Sequence, residues 1–498
     1  MYSMKIIRNM VMFALLGGII SCKEKSSRDV NERTPPNVLF IAIDDLNDWT
    51  GFLGGRDGVY TPNLDALAAR GMAFTNAHCS APACGPSRAS LMTGIRPSTS
   101  GIYNNSAEWR KSPVLAHAKT IPEYFREAGY IVKGGGKIFH ALSWIRDRYG
   151  IDQNDPTIWD AYFPSKERSL PESVWPESAV KDSTGYVSWQ PLVGNGTAKR
   201  PSGFFDYGAL GNNEEMADYK VVDWAVDELN KEHKKPLFLG VGIFRPHIPW
   251  FVPKEYFDRY PIENITLPKI EENDLDDVSS MALKHLRRDW QKWMLTNNEW
   301  KKAIQAYQAS ITFSDAMVGR LIEGLEKSGK LDETIIVLWS DHGMHIGEKE
   351  QWEKFTLWEE STRVPLIVVA PGTTKASTKT GEAVSLLDVY PTLVELSGGT
   401  IFEQLEGQSL KPLLENPLMT REEPAVTTWH YNNHAVRTKN WRYISYSNGD
   451  EELYNHKSDP DEFYNLANKP ENRILMDSLQ QWMPKTNFQY SLTNYKNN

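Results

Sequence analysis

Two apolar runs in this chain end on acids. Asn37-Val-Leu-Phe-Ile-Ala-Ile43 runs into Asp44-Asp45, and the run from Thr334 to Trp339 passes through Ser340 into Asp341-His342. Apolar runs of this length read as strands buried on both faces. In open α/β sheets, sites form beyond the carboxyl ends of such strands. One acid there is ordinary. Two adjacent acids on one strand and an Asp-His on another make the donor set of a shared cation, mainly carboxylate oxygen, which suits a hard ion such as Ca²⁺ or Mg²⁺. Spacing alone leaves open that Asp44-Asp45 only caps the turn that follows.

Cys84 heads the run Cys84-Gly-Pro-Ser-Arg88, which opens a short apolar helix. The N-terminus of that helix brings a partial positive charge and free N–H groups. Arg88, one turn beyond Cys84, adds a full charge. Positive charge is needed, because Asp44, Asp45 and Asp341 together carry −3 and a divalent ion returns the sum only to −1. At roughly 4 Å and an effective dielectric near 20, each charge pair is worth about 4 kcal/mol. A site that binds an anionic ester must therefore recruit further cations. The candidates are Lys137 and His140 in Gly134-Gly-Gly-Lys-Ile-Phe-His140, His247 in Phe244-Arg-Pro-His-Ile-Pro-Trp250, and Lys354 in Glu350-Gln-Trp-Glu-Lys354. A lone Lys or His is more often solvated or structural. Glycines ahead of Lys137 let the backbone approach a ligand, and Pro246 and Pro249 restrain His247. His345, close to Asp341-His342, is a further candidate for substrate contact.

These residues need a scaffold. Strands are expected at 37–43, 236–244, 334–339 and 364–370, with helices at 62–71, 120–128, 216–232, 300–327 and 384–396. Strands alternating with helices imply a largely parallel sheet covered on both faces. Beyond about Leu414 the chain turns to short, aromatic, turn-rich segments, so residues 420–498 are expected to form a smaller α+β subdomain after a catalytic domain over 37–415.

The 498 residues include three cysteines, Cys22, Cys79 and Cys84, so a chain long enough for a large core has no disulfide framework. Cys22 closes a segment with a basic start (Lys5, Arg8) and an apolar stretch, Val11–Ile20, too short to span a bilayer. Ile19-Ile-Ser-Cys22 resembles a bacterial lipobox. Residues 1–21 are therefore expected to be a lipoprotein signal peptide, with Cys22 lipidated and 22–36 a polar tether on an exported, membrane-anchored protein. An ordinary signal peptide with an incidental cysteine is the plainer alternative. Cys79 is expected to be a buried small hydrophobe; a Cys79–Cys84 disulfide would abolish chemistry at Cys84. A net charge of −9 argues against a nucleic-acid binder and requires the positive field to be built locally. The 17 Trp, 21 Tyr and 18 Phe suit sugar stacking, although most belong to the core.

Cys-x-Pro-x-Arg is the run read by the enzymes that oxidise cysteine to formylglycine. With its Leu91-Met-Thr-Gly-Ile-Arg-Pro97 continuation it resembles the signature of the type I, formylglycine-dependent sulfatases. Phe40-Ile-Ala-Ile-Asp-Asp45, Gly136-Lys-Ile-Phe-His140, Arg245-Pro-His-Ile-Pro249 and Ser340-Asp-His-Gly343 recur in that order in the same family. Pro253-Lys-Glu-Tyr-Phe257, Tyr260-Pro-Ile-Glu-Asn-Ile-Thr-Leu267, and His342 where many sulfatases carry Asn, are most similar to the iduronate 2-sulfatase branch. The likeness runs from about Asn37 to the C-terminus and is weakest over 145–215 and 270–300. It implies an alkaline-phosphatase-like α/β fold, a large mixed, mainly parallel sheet sandwiched by helices. It implies one Ca²⁺ held by Asp44, Asp45, Asp341, His342 and the formylglycine made from Cys84 by a formylglycine-generating enzyme. Arg88 and Lys137 would stabilise the formylglycine hydrate, while Lys137, Lys354 and His247 would bind the sulfate oxygens. His247 would protonate the leaving alcohol, and His140 would take the proton whose loss lets the diol expel sulfate, where a plain serine ester would need attack by water.

The resemblance leaves two rivals, a formylglycine-dependent phosphonate or phosphodiester hydrolase and a glycan-binding lipoprotein that has lost catalysis. The expected substrate is a sulfated polysaccharide-derived oligosaccharide. A 2-O-sulfated uronic acid, as in ulvan or glycosaminoglycans, fits the iduronate likeness, with sulfated galactans such as carrageenan open. Oligomeric state is not legible.

Overall fold

A computed structural model of the chain describes residues 35–140, 155–163, 180–181, 187–188 and 207–489. The signal segment, Cys22 and most of the tether lie outside the described residues.

Fourteen elements place the site. They are β1 (Asn37–Ile43), α1 (Pro62–Arg70), β2 (Met72–Phe74), α2 (Cys84–Thr93), α3 (Ile121–Glu127), β3 (Ile131–Gly136) and β4 (Ala161–Phe163), then α4 (Ala217–Asn230), β5 (Leu237–Ile243), α5 (Trp300–Lys327), β6 (Thr334–Ser340), β7 (Leu366–Val369), β8 (Thr378–Thr380) and α6 (Val389–Leu396). Eight strands form one sheet in the order β8-β2-β7-β6-β1-β5-β3-β4. Only β7 runs against the others. The sheet is mixed and mainly parallel, as expected.

Alternation along β1 sets the two faces. Leu39, Ile41 and Ile43 join a core with residues of α1, α4 and α5. Val38, Phe40 and Ala42 join a second core with residues of α2, α3 and α6. Side chains two apart share a face of a strand, so a wholly apolar strand feeds both layers at once.

Two expected elements break at identifiable residues. The run 364–370 divides at Pro365, which has no N–H for a ladder. Arg363–Val364 pairs instead with Ala77–His78, and β7 starts at Leu366. The expected helix 384–396 begins only at Val389. Ser385 and Asp388 form a capping box that winds Leu386–Asp388 into a 3₁₀ turn first.

The C-terminal segment forms an antiparallel meander of β9 (Ala425–Thr428), β10 (His434–Arg437), β11 (Trp441–Ser445) and β12 (Glu451–Asn455), with α7 (Arg473–Gln480) packed on it. A buried ion network fastens the meander to the preceding chain. Arg442 donates to Glu359, Glu462, Thr362 and the Leu357 carbonyl, and Arg437 also pairs with Glu359. No helix among the described residues is long and apolar enough to cross a membrane.

Candidate active site

Four adjacent parallel strands deliver the site. Ile43 of β1 pairs with Ser340 of β6 on one side and Ile243 of β5 on the other. Asp44-Asp45 and Asp341-His342 therefore leave the sheet side by side, with the Phe244–His247 turn beyond β5. Lys137 follows β3, whose neighbour is β5. The chain crosses very closely there. The Lys137 N–H bonds the Gly242 carbonyl at 3.1 Å, and a Cβ on Gly242 would lie 2.3 Å from the Lys137 backbone. Glycine at 242 and at Gly136 (φ +72°) is what lets Lys137 turn into the site.

Cys84, at the start of α2, is buried and is a thiol in this structure; its Sγ stands in for the first atom of the group made from it. His342 Nε2 lies 3.2 Å from Sγ, Lys354 Nζ 3.5 Å and Lys137 Nζ 3.9 Å. Burial alone would push this thiol up. Lys137, Lys354 and His342 outweigh burial and hold it well below the usual thiol range. Cys79 shows the contrast. It is equally buried but lacks these cations, and burial pushes its thiol far up. Both cysteines are free, so no Cys79–Cys84 disulfide forms.

Three cations serve the three carboxylates, and one of them is shared. Lys137 pairs with Asp44, and Lys354 pairs with Asp45 Oδ1 at 2.6 Å. Arg88, wholly buried, spans Asp44 Oδ1 at 2.9 Å and Asp341 Oδ2 at 2.8 Å. Its other guanidinium nitrogen donates to the carbonyls of Lys137 and Ile138. The hydrogen bonds of Arg88 thus go to the carboxylates and the Lys137 turn, not to Cys84. Although Arg88 serves both acids, they respond in opposite ways. Burial raises Asp44, but Lys137, His247 and Arg88 outweigh it and hold this acid well below the usual range. Asp341 has no lysine of its own and faces Asp44, so burial pushes it up to about 6 despite Arg88.

The donor set suits a hard divalent cation. Asp44, Cys84, Asp341 and His342 can bring one ligand atom each within 4.8 Å of one another. Asp45 stands beside them, with Oδ1 3.3 Å from His342 Nε2 and a buried Oδ2 that accepts no hydrogen bond. His342 Nδ1–H donates to the Gly343 carbonyl at 2.9 Å, which turns Nε2 into the cluster. Burial works against charge on His342, yet Asp341, followed by Cys84 and Asp45, pushes it up to about 9. A cluster that drives a proton onto a buried histidine is one that a cation would occupy in its place.

Two further histidines line the space. His247 Nδ1–H donates to the Ile248 carbonyl at 2.5 Å, leaving Nε2 3.8 Å from Asp45 Oδ2. His140 hydrogen-bonds Cys84, and burial holds its imidazole below the ordinary value. Its Nδ1 is buried without a protein partner. Lys354 sits on strained backbone, with Glu353 at φ +69° and Phe355 at φ +78°. Such angles cost non-glycine residues energy and cluster at functional sites. His345 is also buried, with Nε2 2.8 Å from Thr356 Oγ1, and burial pushes it down to about 3.

The site's supports carry no sequence signal. Ser87 Oγ donates to the Asp341 carbonyl, Ser340 Oγ to the His342 carbonyl, and Tyr307 of α5 to the Asp45 carbonyl. Tyr307 lies 262 positions from Asp45, and only folding brings them together.

Taken together, a divalent cation would leave this pocket positive by two charges, because three cations already balance the three acids. Such a pocket suits an anionic ester beside a nucleophile. Comparison with known proteins agrees. Residues 36–399 match the sulfatase family, and 347–489 match the C-terminal region of N-sulphoglucosamine sulphohydrolase. Members of the sulfatase family generally use a formylglycine and a divalent metal. A sulfatase of Formosa agariphila is 37% identical over 95% of this chain and 92% of its own. Human iduronate 2-sulfatase is 32% identical over 76% of this chain and 68% of its own. The fold matches that of BT4656 in complex with its substrate D-glucosamine-2-N,6-O-disulfate (TM-score 0.67, 21% identity, 90% of this chain and 96% of that one). With its pocket and its whole length both pointing the same way, the chain belongs to the sulfatase family and is a sulfuric ester hydrolase.

Proposed function

We propose that this enzyme removes sulfate esters from sulfated saccharides, with a 2-O-sulfated uronic acid of the ulvan or glycosaminoglycan kind as the preferred unit. The observation that carries this reading is the convergence of Lys137, Lys354 and His342 on Cys84, with the three carboxylates balanced by Lys137, Lys354 and the shared Arg88. The likeness to iduronate 2-sulfatase supports the choice of sugar.

In this reading Asp44, Asp45, Asp341, His342 and the oxidised Cys84 hold one Ca²⁺. Formylglycine made from Cys84 supplies, as its hydrate, the oxygen nucleophile, and the calcium ion supplies charge neutralisation at the ester oxygens. The chain's own residues do the rest. Lys137, Lys354 and His247 bind the sulfate oxygens and gather the charge that grows on them. Arg88 holds Asp44 and Asp341 in place and anchors the turn that carries Lys137. His247 donates a proton from Nε2, which stands 3.8 Å from Asp45 Oδ2, to the leaving alcohol. His140, kept neutral by burial, accepts a proton beside Cys84.

The N-terminal pattern supports export as a lipoprotein anchored through Cys22, placing the enzyme where extracellular polysaccharide fragments arrive. Incorporation of labelled lipid that is lost in Cys22→Ala tests the anchor. Sulfate release from defined oligosaccharides differing only in sulfate position, run beside an aryl sulfate and an aryl phosphate, tests the function. Release from a 2-O-sulfated uronate unit supports the reading, whereas turnover of the phosphate alone or of no saccharide sinks it.

A further inference from the structure

The strand β9 runs beside the segment leading into Cys84. Thr428 N–H bonds the Ser80 carbonyl at 2.9 Å, and Thr427 Oγ1 bonds the Cys79 carbonyl at 2.6 Å. The turn from β9 to β10 therefore leaves the sheet beside the segment that leads into the nucleophile, and it is aromatic. Trp429 lies 5.3 Å, ring to ring, from Phe355, the neighbour of Lys354, and Phe355 N–H bonds the Pro82 carbonyl at 3.2 Å. His430 lies 4.0 Å from Trp429 and stacks on His285 at 5.0 Å. Tyr431, 39% exposed, meets Tyr103 edge-on at 6.3 Å. Two residues past Tyr103, Asn105 Oδ1 accepts the Gly85 N–H at 2.8 Å. The turn thus touches both flanks of the α2 N-terminus.

Trp429 packs in a buried apolar cluster with Ala83, Trp358 and Tyr454, and two observations mark the turn beyond that packing. The Trp429 side chain is nine-tenths buried and its indole N–H has no protein partner, although buried indoles usually find one. That N–H is available to donate to a ligand. His430, Asn432 and Phe355 are also all held at positive φ (57°, 60° and 78°), a conformation kept only where the surroundings demand a particular shape. The sulfate pocket of lysines, histidines and acids uses none of these rings.

We propose that the Trp429–Asn432 turn, with Phe355 and His285, is the sugar-binding wall of the active site, receiving the C–H face of the pyranose that bears the sulfate ester. The wall rests on the reading of the substrate as a sulfated saccharide. A half-exposed aromatic face beside the cationic pocket suits such a ligand, since a sugar ester presents an anion at one end and a C–H surface at the other.

The test compares kcat/KM on the best saccharide of the panel with kcat/KM on a small aryl sulfate. In the pair H430A and Y431A combined, the saccharide-to-aryl ratio should fall at least tenfold, mostly through KM. Trp429→Phe keeps the ring and loses the N–H, and should lower the ratio severalfold with an unchanged melting temperature, which guards against misfolding. Ratios within twofold of wild type for both variants overturn the wall while leaving the saccharide reading intact. A wild-type enzyme that hydrolyses the aryl sulfate and no saccharide overturns that reading and the wall with it.

Discussion

Replacing Lys354 by Met separates the two tasks this account gives to one charge. Lys354 Nζ lies 2.6 Å from Asp45 Oδ1 and 3.5 Å from Cys84 Sγ, on a buried side chain. Burial would lower this ammonium's pKa, but Asp45 and then Cys84 outweigh it and keep it charged. Two unit charges about 4 Å apart interact by roughly 4 kcal/mol at an effective dielectric near 20. Since about 1.4 kcal/mol is tenfold in rate, the loss in kcat/KM is bounded near a thousandfold and expected near a hundredfold. The same change strips Asp45 of its nearest cation, and a buried carboxylate left unpaired costs about 3–5 kcal/mol of stability. In the proposed reading a bound Ca²⁺ would take up that charge, so added calcium should restore the melting temperature and leave activity low. The assay is aryl sulfate turnover and thermal unfolding, each with and without calcium, beside Lys354→Arg as the charge-keeping control. A loss below tenfold, or activity recovered by excess calcium, refutes the reasoning.

Arg88→Lys keeps the charge but cannot span Asp44 and Asp341 at once. Each lost hydrogen bond to a charged group is worth roughly 1.5–3 kcal/mol, so urea unfolding should register at least one such loss. Calorimetry should show calcium binding weakened tenfold or more, as is usual when a ligand-orienting partner goes; unchanged affinity would show that the clamp does not orient the ligands. In the C-terminal network, burial would raise Glu462, but Arg442 and His456 outweigh it and hold it down to about 2, below its ordinary 4.5. A carboxyl depressed on folding stabilises the protein above its unfolded pKa and loses that contribution as pH falls through the folded value. Glu462→Gln should therefore be less stable at neutral pH and lose less stability between about pH 4.5 and 2; identical acid limbs for the two proteins contradict this.

How far the sequence reached depended on whether a residue's task is local. Asp44-Asp45 and Asp341-His342 are legible because a buried strand ending on an acid is a local pattern, and parallel pairing of β1 with β6 makes the two ends neighbours. Long periodic elements such as 300–327 stand where periodicity places them. Elements stopped by one residue, as at Pro365, do not. The pairing of Arg88 with two acids 44 and 253 positions away has no sequence signature, and neither do the Tyr307 contact and the Arg442 network. The motif around Arg88 placed it in the site, but only the fold shows which atoms it holds. The β9–β10 turn was invisible for another reason. Its aromatics carry no local pattern, and only the fold brings them to Phe355 and to the segment that precedes Cys84.

The measurement that bears most directly on the account is peptide mass spectrometry of the residue 84 region, taken on enzyme whose aryl sulfate turnover has been determined. Preparations made with and without a formylglycine-generating enzyme should differ in aldehyde content at position 84. Turnover should rise in proportion to that aldehyde and vanish in Cys84→Ala while the fold persists. Full turnover from protein carrying only the Cys84 thiol would contradict it.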